Sequence, residues 1–183
     1  GAKPIFADID PNTYNIDPND IERKITEKTK AIIPVDFTGQ PVDVDRIKDI
    51  AKKYGLIVIE DAAHALGAEY KGNKIGSLAD MTAFSFHPVK HITTGEGGMI
   101  TNDEELYNRL VLFRSHGITR DANRLANKNE GSWYYDQLEL GYNYRITDIQ
   151  CALGISQISK LDKFLGRRRE IAEKYNSYLK NID

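Results

Sequence analysis

Residues 44–61 read Val-Asp-Arg-Ile-Lys-Asp-Ile-Ala-Lys-Lys-Tyr-Gly-Leu-Ile-Val-Ile-Glu-Asp, and this stretch decides the fold of the 183-residue chain. Its first half places apolar or aromatic residues at helical spacing: Val44, Ile47, Ile50, Ala51 and Tyr54. Gly55 is typical of a helix end, and the apolar run Leu56–Glu60 predicts a buried strand. The run leads directly into Asp61, which we therefore expect at the carboxyl end of that strand.

The same alternation of helices and strands extends to both sides. Toward the N-terminus we predict strands at Pro4–Ile9 and Ala31–Phe37, and a helix from Pro18 to about Lys28. Toward the C-terminus we predict strands at Met81–Phe86 and Met99–Thr101, helices at Asp103–Arg114 and Thr147–Phe164, and, after an interruption at Gly166, a helix to about Leu179. Apolar strands that alternate with helices favour the α/β class, with three α/β/α layers and a mostly parallel sheet.

Composition excludes several classes of function. The chain has 25 basic and 27 acidic residues and a formal net charge of −2, so nothing in its charge indicates a nucleic-acid partner. No apolar run is long enough to span a membrane, and the single cysteine, Cys151, fits a reducing compartment. We therefore expect a cytoplasmic protein. Because the chain lacks an initial methionine and ends directly after a helical pattern, we interpret it as a fragment of a larger enzyme.

Residues 85–99 contain the strongest candidate for chemistry, Lys90, in the stretch Ser-Phe-His-Pro-Val-Lys-His-Ile-Thr-Thr-Gly-Glu-Gly-Gly-Met. Gly95, Gly97 and Gly98 allow the backbone to turn tightly and to approach a bound group closely. A lysine held on such a turn is partly desolvated, which favours the neutral, nucleophilic amine. We predict that Lys90 forms a Schiff base with pyridoxal 5'-phosphate (PLP).

Three more side chains match the needs of that cofactor. Asp61 is predicted at a strand end, where α/β sheets bind ligands, and a carboxylate there holds the ring nitrogen protonated as an electron sink. His64 is a candidate partner for the phenolic oxygen, and the Ser85 hydroxyl suits a phosphate oxygen. Each residue alone is more often structural, as when an aspartate caps a turn. The prediction depends on all four occurring together in this order.

Motifs of other kinds are absent from the sequence. No Gly-x-Gly-x-x-Gly follows a strand, residues 94–98 lack the Lys-Ser/Thr pair of a phosphate-binding loop, and there is no nucleophile elbow. The four histidines do not fall at metal-ligand spacing with cysteine or paired carboxylates, so we predict no metal site.

Four segments resemble the nucleotide-sugar aminotransferases of the DegT/DnrJ family, which are fold type I PLP-dependent enzymes. They are Glu-Asp-Ala-Ala-His-Ala-Leu-Gly-Ala at 60–68, Ser-Phe-x-x-x-Lys at 85–90, Gly-Glu-Gly-Gly at 95–98 and Gly-Tyr-Asn-Tyr-Arg at 141–145. The resemblance runs from Gly1 to about Leu179. It is closest to transaminases acting at C4 of UDP-linked 4-keto-6-deoxy-N-acetylhexosamines, in pathways to pseudaminic acid and to spore-coat or surface polysaccharides.

The resemblance implies roles for the candidate residues. Lys90 is the Schiff-base lysine and moves a proton between the cofactor carbon and the sugar carbon. Asp61 pairs with the pyridine nitrogen, His64 with the phenolic oxygen and Ser85 with the phosphate. Asn143 reaches the phosphate in the neighbouring subunit's site, which implies a homodimer. Glutamate is the implied amino donor, and a UDP-sugar is the implied acceptor.

The resemblance also implies a domain organisation. Residues 1–165 are the central part of the PLP-binding large domain, and residues 166–183 form a helix that leads toward a C-terminal domain. The family's N-terminal portion and its C-terminal domain are not in this chain, so we expect the chain alone to bind cofactor poorly or not at all. The loop from Gly117 to Tyr135 ends in Trp133-Tyr134-Tyr135, where the family's loop meets the sugar nucleotide, although these aromatics equally suit a core or an interface. The segment Asp36–Gln40 differs from the histidine-containing turn of many members, and no role is assigned to it.

Two alternatives remain open. Related PLP-dependent sugar dehydratases carry histidine at the position of Lys90 and do not form the internal Schiff base, so Lys90 favours amino transfer. The second alternative is an inactive interaction fragment of the aminotransferase fold. The intact set of Asp61, His64, Ser85 and Lys90 argues against it for the parent protein.

Overall fold

The structure, a computed structural model, describes residues 1–127 and 129–180 of the chain. Among these residues there are five α-helices: α1 (Pro18–Lys24), α2 (Val44–Tyr54), α3 (Glu104–Arg114), α4 (Asp148–Ile158) and α5 (Leu161–Leu179). The same residues form eight short strands: β1 (Ala31–Ile32), β2 (Ile57–Asp61), β3 (Glu69–Tyr70), β4 (Asn73–Lys74), β5 (Met81–Ser85), β6 (Gly98–Asn102), β7 (Ile118–Thr119) and β8 (Asp136–Gln137). The chain divides into two compact units: unit 1 is Gly1–Thr101 together with α4 and α5, and unit 2 is Asn102–Thr147.

Unit 1 is built on a sheet of four described strands in the order β1-β2-β5-β6. β1 runs parallel to β2, with Ala31 opposite Ile57, and β2 runs parallel to β5, with Ile59 opposite Met81. α2 precedes β2 as predicted, and Gly55 ends the helix at φ +64°, a left-handed conformation that favours glycine. The predicted α/β class with a mostly parallel sheet is confirmed.

β2 and β5 each present one covered face and one more open face. The covered face carries side chains that are at most 7% exposed: Val58, Glu60, Thr82 and Phe84. Side chains alternate along a strand, and residues in register on parallel strands share a face. Since Asp61 is opposite Ala83, the half-buried residues Asp61, Ala83 and Ser85 lie together on the open face, at the carboxyl edge of the sheet.

Two hydrophobic clusters support this edge. The first packs α1 and α2 against the sheet through Ile21, Ile32, Ile47, Ile50 and Val58, among others. The second surrounds the turn after β2 and the end of β5, and contains Ala62, Ala65, Ile75, Phe84, Phe86 and Ile92. Leu161 of α5 packs against the second cluster. α5 is therefore anchored to the segment that follows Asp61.

Two predicted strands are wrong in extent. Within the described part of the chain, Pro4–Ile9 contributes one isolated bridge, between Ile9 and Ile16, and no ladder. In Ala31–Phe37 only Ala31 and Ile32 pair with β2 as a ladder, because Pro34 has no N–H to donate. Val35 then makes a single parallel bridge with Asp61.

Helix ends also differ from the prediction. α1 ends at Lys24 rather than near Lys28, because Ile25 takes an extended conformation. The break predicted at Gly166 is wrong: Gly166 lies inside α5, and the chain breaks between α4 and α5 at Ser159-Lys160. The domain boundary predicted at residue 165 stays a prediction. No helix of the described residues combines the length and the apolar character needed to cross a membrane.

Gly98→Ala should destabilise unit 1. A Cβ at Gly98 would lie 2.7 Å from the backbone oxygen of Phe84, so β6 would have to move away from β5. We expect a loss of about 1–3 kcal/mol in the free energy of unfolding, measured by urea denaturation. Gly166→Ala is the matched control, because its Cβ meets nothing within 4 Å and its site is helical. That variant should be more stable by about 0.5–1 kcal/mol, and equal effects of the two changes would contradict the assigned packing.

Unit 2 contains α3 and a small antiparallel sheet in which Ile118 of β7 is opposite Gln137 of β8. The predicted loop between Gly117 and Tyr135 therefore opens with a strand. The Tyr134 hydroxyl donates to Asp136 at 2.7 Å, and the other oxygen of Asp136 accepts the Ala126 N–H at 2.7 Å. These two hydrogen bonds to Asp136 hold the parts of the loop around Ala126 and Tyr134 together.

Candidate active site

Asp61 is held at the end of β2 by backbone bonds on both sides. Its N–H donates to the Pro34 carbonyl at 2.8 Å, and its carbonyl accepts the Asp36 N–H at 3.0 Å. Oδ1 of its side chain accepts the Ala63 N–H at 3.0 Å, which turns the chain after the strand. Within the described residues Oδ2 accepts no hydrogen bond from the protein. One carboxylate oxygen is thus available to a ligand on the open face.

Ser85 ends β5 on the same face as Asp61. It lies two residues beyond Ala83, the residue opposite Asp61. Between the two on this face stands Ala83, whose side chain is only a methyl group. Ser85 Oγ accepts the His87 N–H at 3.4 Å, and its own O–H remains able to donate to an acceptor.

Lys90 lies in a loop that Phe86 closes at its base. The Phe86 N–H donates to the Gly97 carbonyl at 2.8 Å, and the Phe86 carbonyl accepts the Thr94 N–H at 3.0 Å. The Lys90 N–H donates to the His87 carbonyl at 3.0 Å, and the residue is half-buried. The turn predicted around Lys90 is confirmed, and the loop continues directly from the carboxyl end of β5.

His64, Lys90 and Arg168 share one neighbourhood around His91, a residue to which the sequence assigned no role. Nδ1 of His91 is buried and has no hydrogen-bond partner in the described part of the chain. Burial lowers the pKa of His91, and the positive charges of Arg168, His64 and Lys90 lower it further. His64, Lys90 and Arg168 of α5 thus all lie within electrostatic reach of His91. The feature of the sequence that could have drawn attention to His91 is its position directly after Lys90.

Two buried carboxyls lie behind Asp61, on the covered face of the sheet. Glu60 is 1% exposed; burial raises its pKa, although Oε2 accepts the Thr82 hydroxyl at 2.9 Å. Asp36 is 0% exposed; its Oδ1 accepts the Val42 N–H at 3.0 Å, and its Oδ2 is buried without a partner among the residues that the structure describes. Burial raises the pKa of Asp36 to about 7, and the negative charges of Glu60 and Asp61 raise it as well. Sequence reasoning missed both, because no local pattern marks them as buried.

Asp36 should make the fold less stable as the pH rises. The pKa of its carboxyl is about 7 in the fold against an ordinary value of 3.8, so between these values the folded chain keeps a proton that the unfolded chain has lost. The free energy of unfolding should fall by up to about 1.4 kcal/mol per pH unit across this interval. Asp36→Asn is neutral at every pH and should remove this part of the slope.

Urea denaturation at several pH values between about 4 and 8 measures this slope. Asp80→Asn is the control, since Asp80 is an exposed carboxylate that accepts the N–H of Val58 at 2.7 Å. It should retain the wild-type slope. An unchanged slope in Asp36→Asn would show that Asp36 is already ionised in the fold.

Asn143 belongs to unit 2 and is exposed. It forms an isolated antiparallel bridge with Ser115, and the rings of its neighbours Tyr142 and Tyr144 stack with centroids 4.9 Å apart. Its predicted role in a neighbouring subunit's site stays a prediction.

The edge of unit 1 defines a class of protein: an α/β domain whose strand ends offer a carboxylate and a hydroxyl, followed by a lysine on a closed loop. Such a set suits a cofactor that has a basic ring nitrogen, an anionic group and an electrophilic carbon. The model of the DegT/DnrJ/EryC1/StrS aminotransferase family matches residues 1–183, and the chain belongs to this family.

Curated relatives of known name match almost the whole chain. The chain is 47% identical over 184 residues to the spore coat polysaccharide biosynthesis protein SpsC of Bacillus subtilis, covering 100% of this chain and 47% of that protein. It is 49% identical over 180 residues to the UDP-4-amino-4,6-dideoxy-N-acetyl-beta-L-altrosamine transaminase of Campylobacter jejuni, covering 96% of this chain and 45% of that protein. The chain thus spans about half the length of the curated relatives it matches.

Solved structures agree with this placement. PseC of Helicobacter pylori, an aminotransferase involved in the biosynthesis of pseudoaminic acid, matches with a TM-score of 0.89 at 39% identity, over 98% of this chain and 46% of that chain. Spr1654 of Streptococcus pneumoniae matches in its PLP form and in its PMP form, with TM-scores of 0.87 and 0.89 over 99% of this chain and 49% and 50% of those chains. Aminotransferases of this family use PLP.

The residues of the open face fit PLP. Asp61 has an oxygen available for a protonated ring nitrogen, Ser85 has a hydroxyl for a phosphate oxygen, and Lys90 has an amine for the aldehyde carbon. The charges around them are also divided, with carboxyls behind Asp61 and cationic groups near Lys90. This division suits a molecule with a cationic ring nitrogen and anionic oxygens.

Proposed function

We propose that the protein carrying this chain transfers an amino group from glutamate to C4 of a UDP-linked 4-keto-6-deoxy-N-acetylhexosamine, for a surface or spore-coat polysaccharide. The observation that carries the proposal is the gathering of Asp61, Ser85 and Lys90 at one edge of the sheet, on half-buried positions open to a ligand. Membership of an aminotransferase family supports the reaction class. The name of the Campylobacter relative supports an amino sugar as the product.

In this proposal PLP supplies an electron sink that stabilises negative charge on the carbon that loses a proton. Lys90 would hold the cofactor through its amine and would accept and return a proton at Nζ. Asp61 would accept a hydrogen bond from the ring nitrogen and keep it protonated. Ser85 would donate its hydroxyl to the phosphate, and His64 would orient the phenolic oxygen. Lys90 favours this reaction over dehydration, because a histidine at that position lacks the amine.

The proposal includes a cytoplasmic homodimer in which Asn143 contacts the phosphate in the neighbouring subunit's site. Support for the dimer comes from the exposure of the stacked rings beside Asn143, 59% for Tyr142 and 74% for Tyr144. An exposed pair of stacked aromatic rings is suited to burial against a second subunit. The free thiol of Cys151 is consistent with a reducing compartment.

The test is a product assay on the complete protein with ¹⁵N-labelled glutamate and a UDP-linked 4-keto sugar. Mass spectrometry should find ¹⁵N in the sugar and an equal amount of 2-oxoglutarate. Loss of a sugar hydroxyl without ¹⁵N would indicate the dehydratase reaction instead, and no change in the sugar would reject the proposed acceptor. Parallel reactions with a GDP-linked 4-keto sugar test the nucleotide. Equilibrium dialysis of PLP against this chain alone should show weak binding or none.

A further inference from the structure

We propose that Asp36 is a positioning residue for the cofactor, standing behind Asp61 and strengthening the site's hold on a protonated pyridine nitrogen. This proposal rests on the PLP site proposed above. Asp36 is 0% exposed and lies on the covered face of the sheet, so it acts through Asp61 rather than by contact with a ligand.

The backbone joins Asp36 rigidly to Asp61. The Asp36 N–H donates to the Asp61 carbonyl at 3.0 Å, and Val35 forms a parallel bridge with Asp61. Because neighbouring side chains point to opposite faces, Val35 shares the open face with Asp61, and Asp36 shares the covered face with Glu60. The two aspartates therefore sit on opposite sides of the same sheet edge.

No positive charge balances the Asp36 carboxyl among the described residues. The charged groups that act on it are Glu60 and Asp61, and both are negative. One hydrogen bond, from the Val42 N–H, reaches Oδ1, whereas Oδ2 is buried and has no partner in residues 1–127 and 129–180. In the same part of the chain no cluster of carboxylates, histidines or cysteines is arranged to hold a metal ion. An ionised Asp36 is therefore poorly stabilised until a cation arrives on the open face.

A protonated pyridine nitrogen bound to Asp61 supplies that cation. A cation at Asp61 favours the ionised form of Asp36, and by linkage an ionised Asp36 strengthens binding of the cation by the same factor. Since the pKa of Asp36 is about 7 in the free protein, binding at neutral pH should release part of a proton from it. Asp36 should not strengthen the binding of a ring that carries no nitrogen.

Calorimetric titration of the complete protein tests this at pH 7, in two buffers of different ionisation enthalpy. Two probes are compared: PLP and its carbocyclic analogue, in which CH replaces the ring nitrogen. Asp36→Asn should bind PLP about fivefold or more weakly than the wild type and release fewer protons, while its affinity for the analogue stays unchanged. Asp80→Asn, which also removes a carboxylate bonded to backbone, should match the wild type with both probes.

Each other outcome overturns the proposal. Equal weakening with both probes would mean that Asp36 only supports the fold, and no weakening with PLP would mean that it does not act on the ring nitrogen. If the wild type fails to bind PLP, the proposed function fails first and this inference falls with it. Should Asp36→Asn not fold, the carboxyl ¹³C shift of Asp36 in the wild type decides. The pKa read from that shift should fall when PLP is added, and an unchanged pKa would reject the proposal.

Discussion

Lys90→Ala should abolish amino transfer by the complete protein, with kcat reduced by at least about 10⁴-fold. Lys90 is the residue proposed both to hold the cofactor and to move the proton, and a single acid–base group supplies up to about that factor. The fold should persist, because Phe86, Thr94 and Gly97 close the loop through backbone bonds that do not involve the lysine side chain. The steady-state rate and the far-ultraviolet circular dichroism of the variant check both expectations.

Borohydride reduction followed by peptide mapping identifies the lysine whose amine holds the cofactor. In the wild type loaded with PLP, peptide mapping should find the reduced pyridoxyl group on Lys90, and in Lys90→Ala it should find none. Lys90→Arg keeps the positive charge but should also be inactive, because a guanidinium is not a nucleophile at neutral pH. Lys53→Ala is the control: Lys53 is an exposed lysine paired with Glu22, and its loss should leave labelling and rate unchanged. A pyridoxyl group on any lysine other than Lys90 would reject the assignment.

Asp61→Asn should lower kcat/KM by about 30- to 5,000-fold. Removing one partner of a buried, hydrogen-bonded charge pair costs about 2–5 kcal/mol, and the pair here is the proposed one between Asp61 and a protonated ring nitrogen. The amide oxygen of asparagine still accepts the Ala63 N–H, so the turn after β2 should survive the change. Steady-state rates of the variant and of the wild type measure the loss.

Binding of a ligand without a ring nitrogen distinguishes pairing between Asp61 and that nitrogen from a purely structural role of Asp61. Asp61→Asn should lose affinity for PLP but not for the carbocyclic analogue without a ring nitrogen. Asp80, which directly precedes β5, accepts the Val58 N–H near the start of β2, and Asp80→Asn should behave as the wild type with both ligands. A loss of equal size for the two ligands would show that Asp61 shapes the site without pairing to the nitrogen.

Local patterns predicted the part of the fold that carries the site. Residues 44–61 form α2, the glycine turn and β2, because helical spacing, a helix-ending glycine and an apolar run are all local signals. Local patterns failed where pairing with residues distant in sequence decides the structure of a segment. Pro4–Ile9 has the composition of a strand, but no segment among the described residues forms a ladder with it. Gly166 has the chemistry of a helix end, yet a single glycine is tolerated inside a helix as long as α5.

The candidate site also has a part that local sequence predicts and a part that depends on contacts between distant residues. Asp61, Ser85 and Lys90 could be selected as candidates from the sequence, because strand ends and a glycine-rich turn are visible there. Their common face was not, since it depends on the register that sets Asp61 opposite Ala83. His91 and the charges that surround it emerged only when α5 packed back onto the segment after Asp61.

The sequence by itself determined the α/β class, the family and a set of candidate residues for the chemistry. Tertiary structure alone decided which polar groups are buried. Asp36 and Glu60 are buried because the strands pair in one register that places both side chains on the covered face of the sheet, and this pairing joins residues far apart in the chain. Desolvation follows from such contacts, so the raised pKa of Asp36 could not be read from its neighbours in sequence.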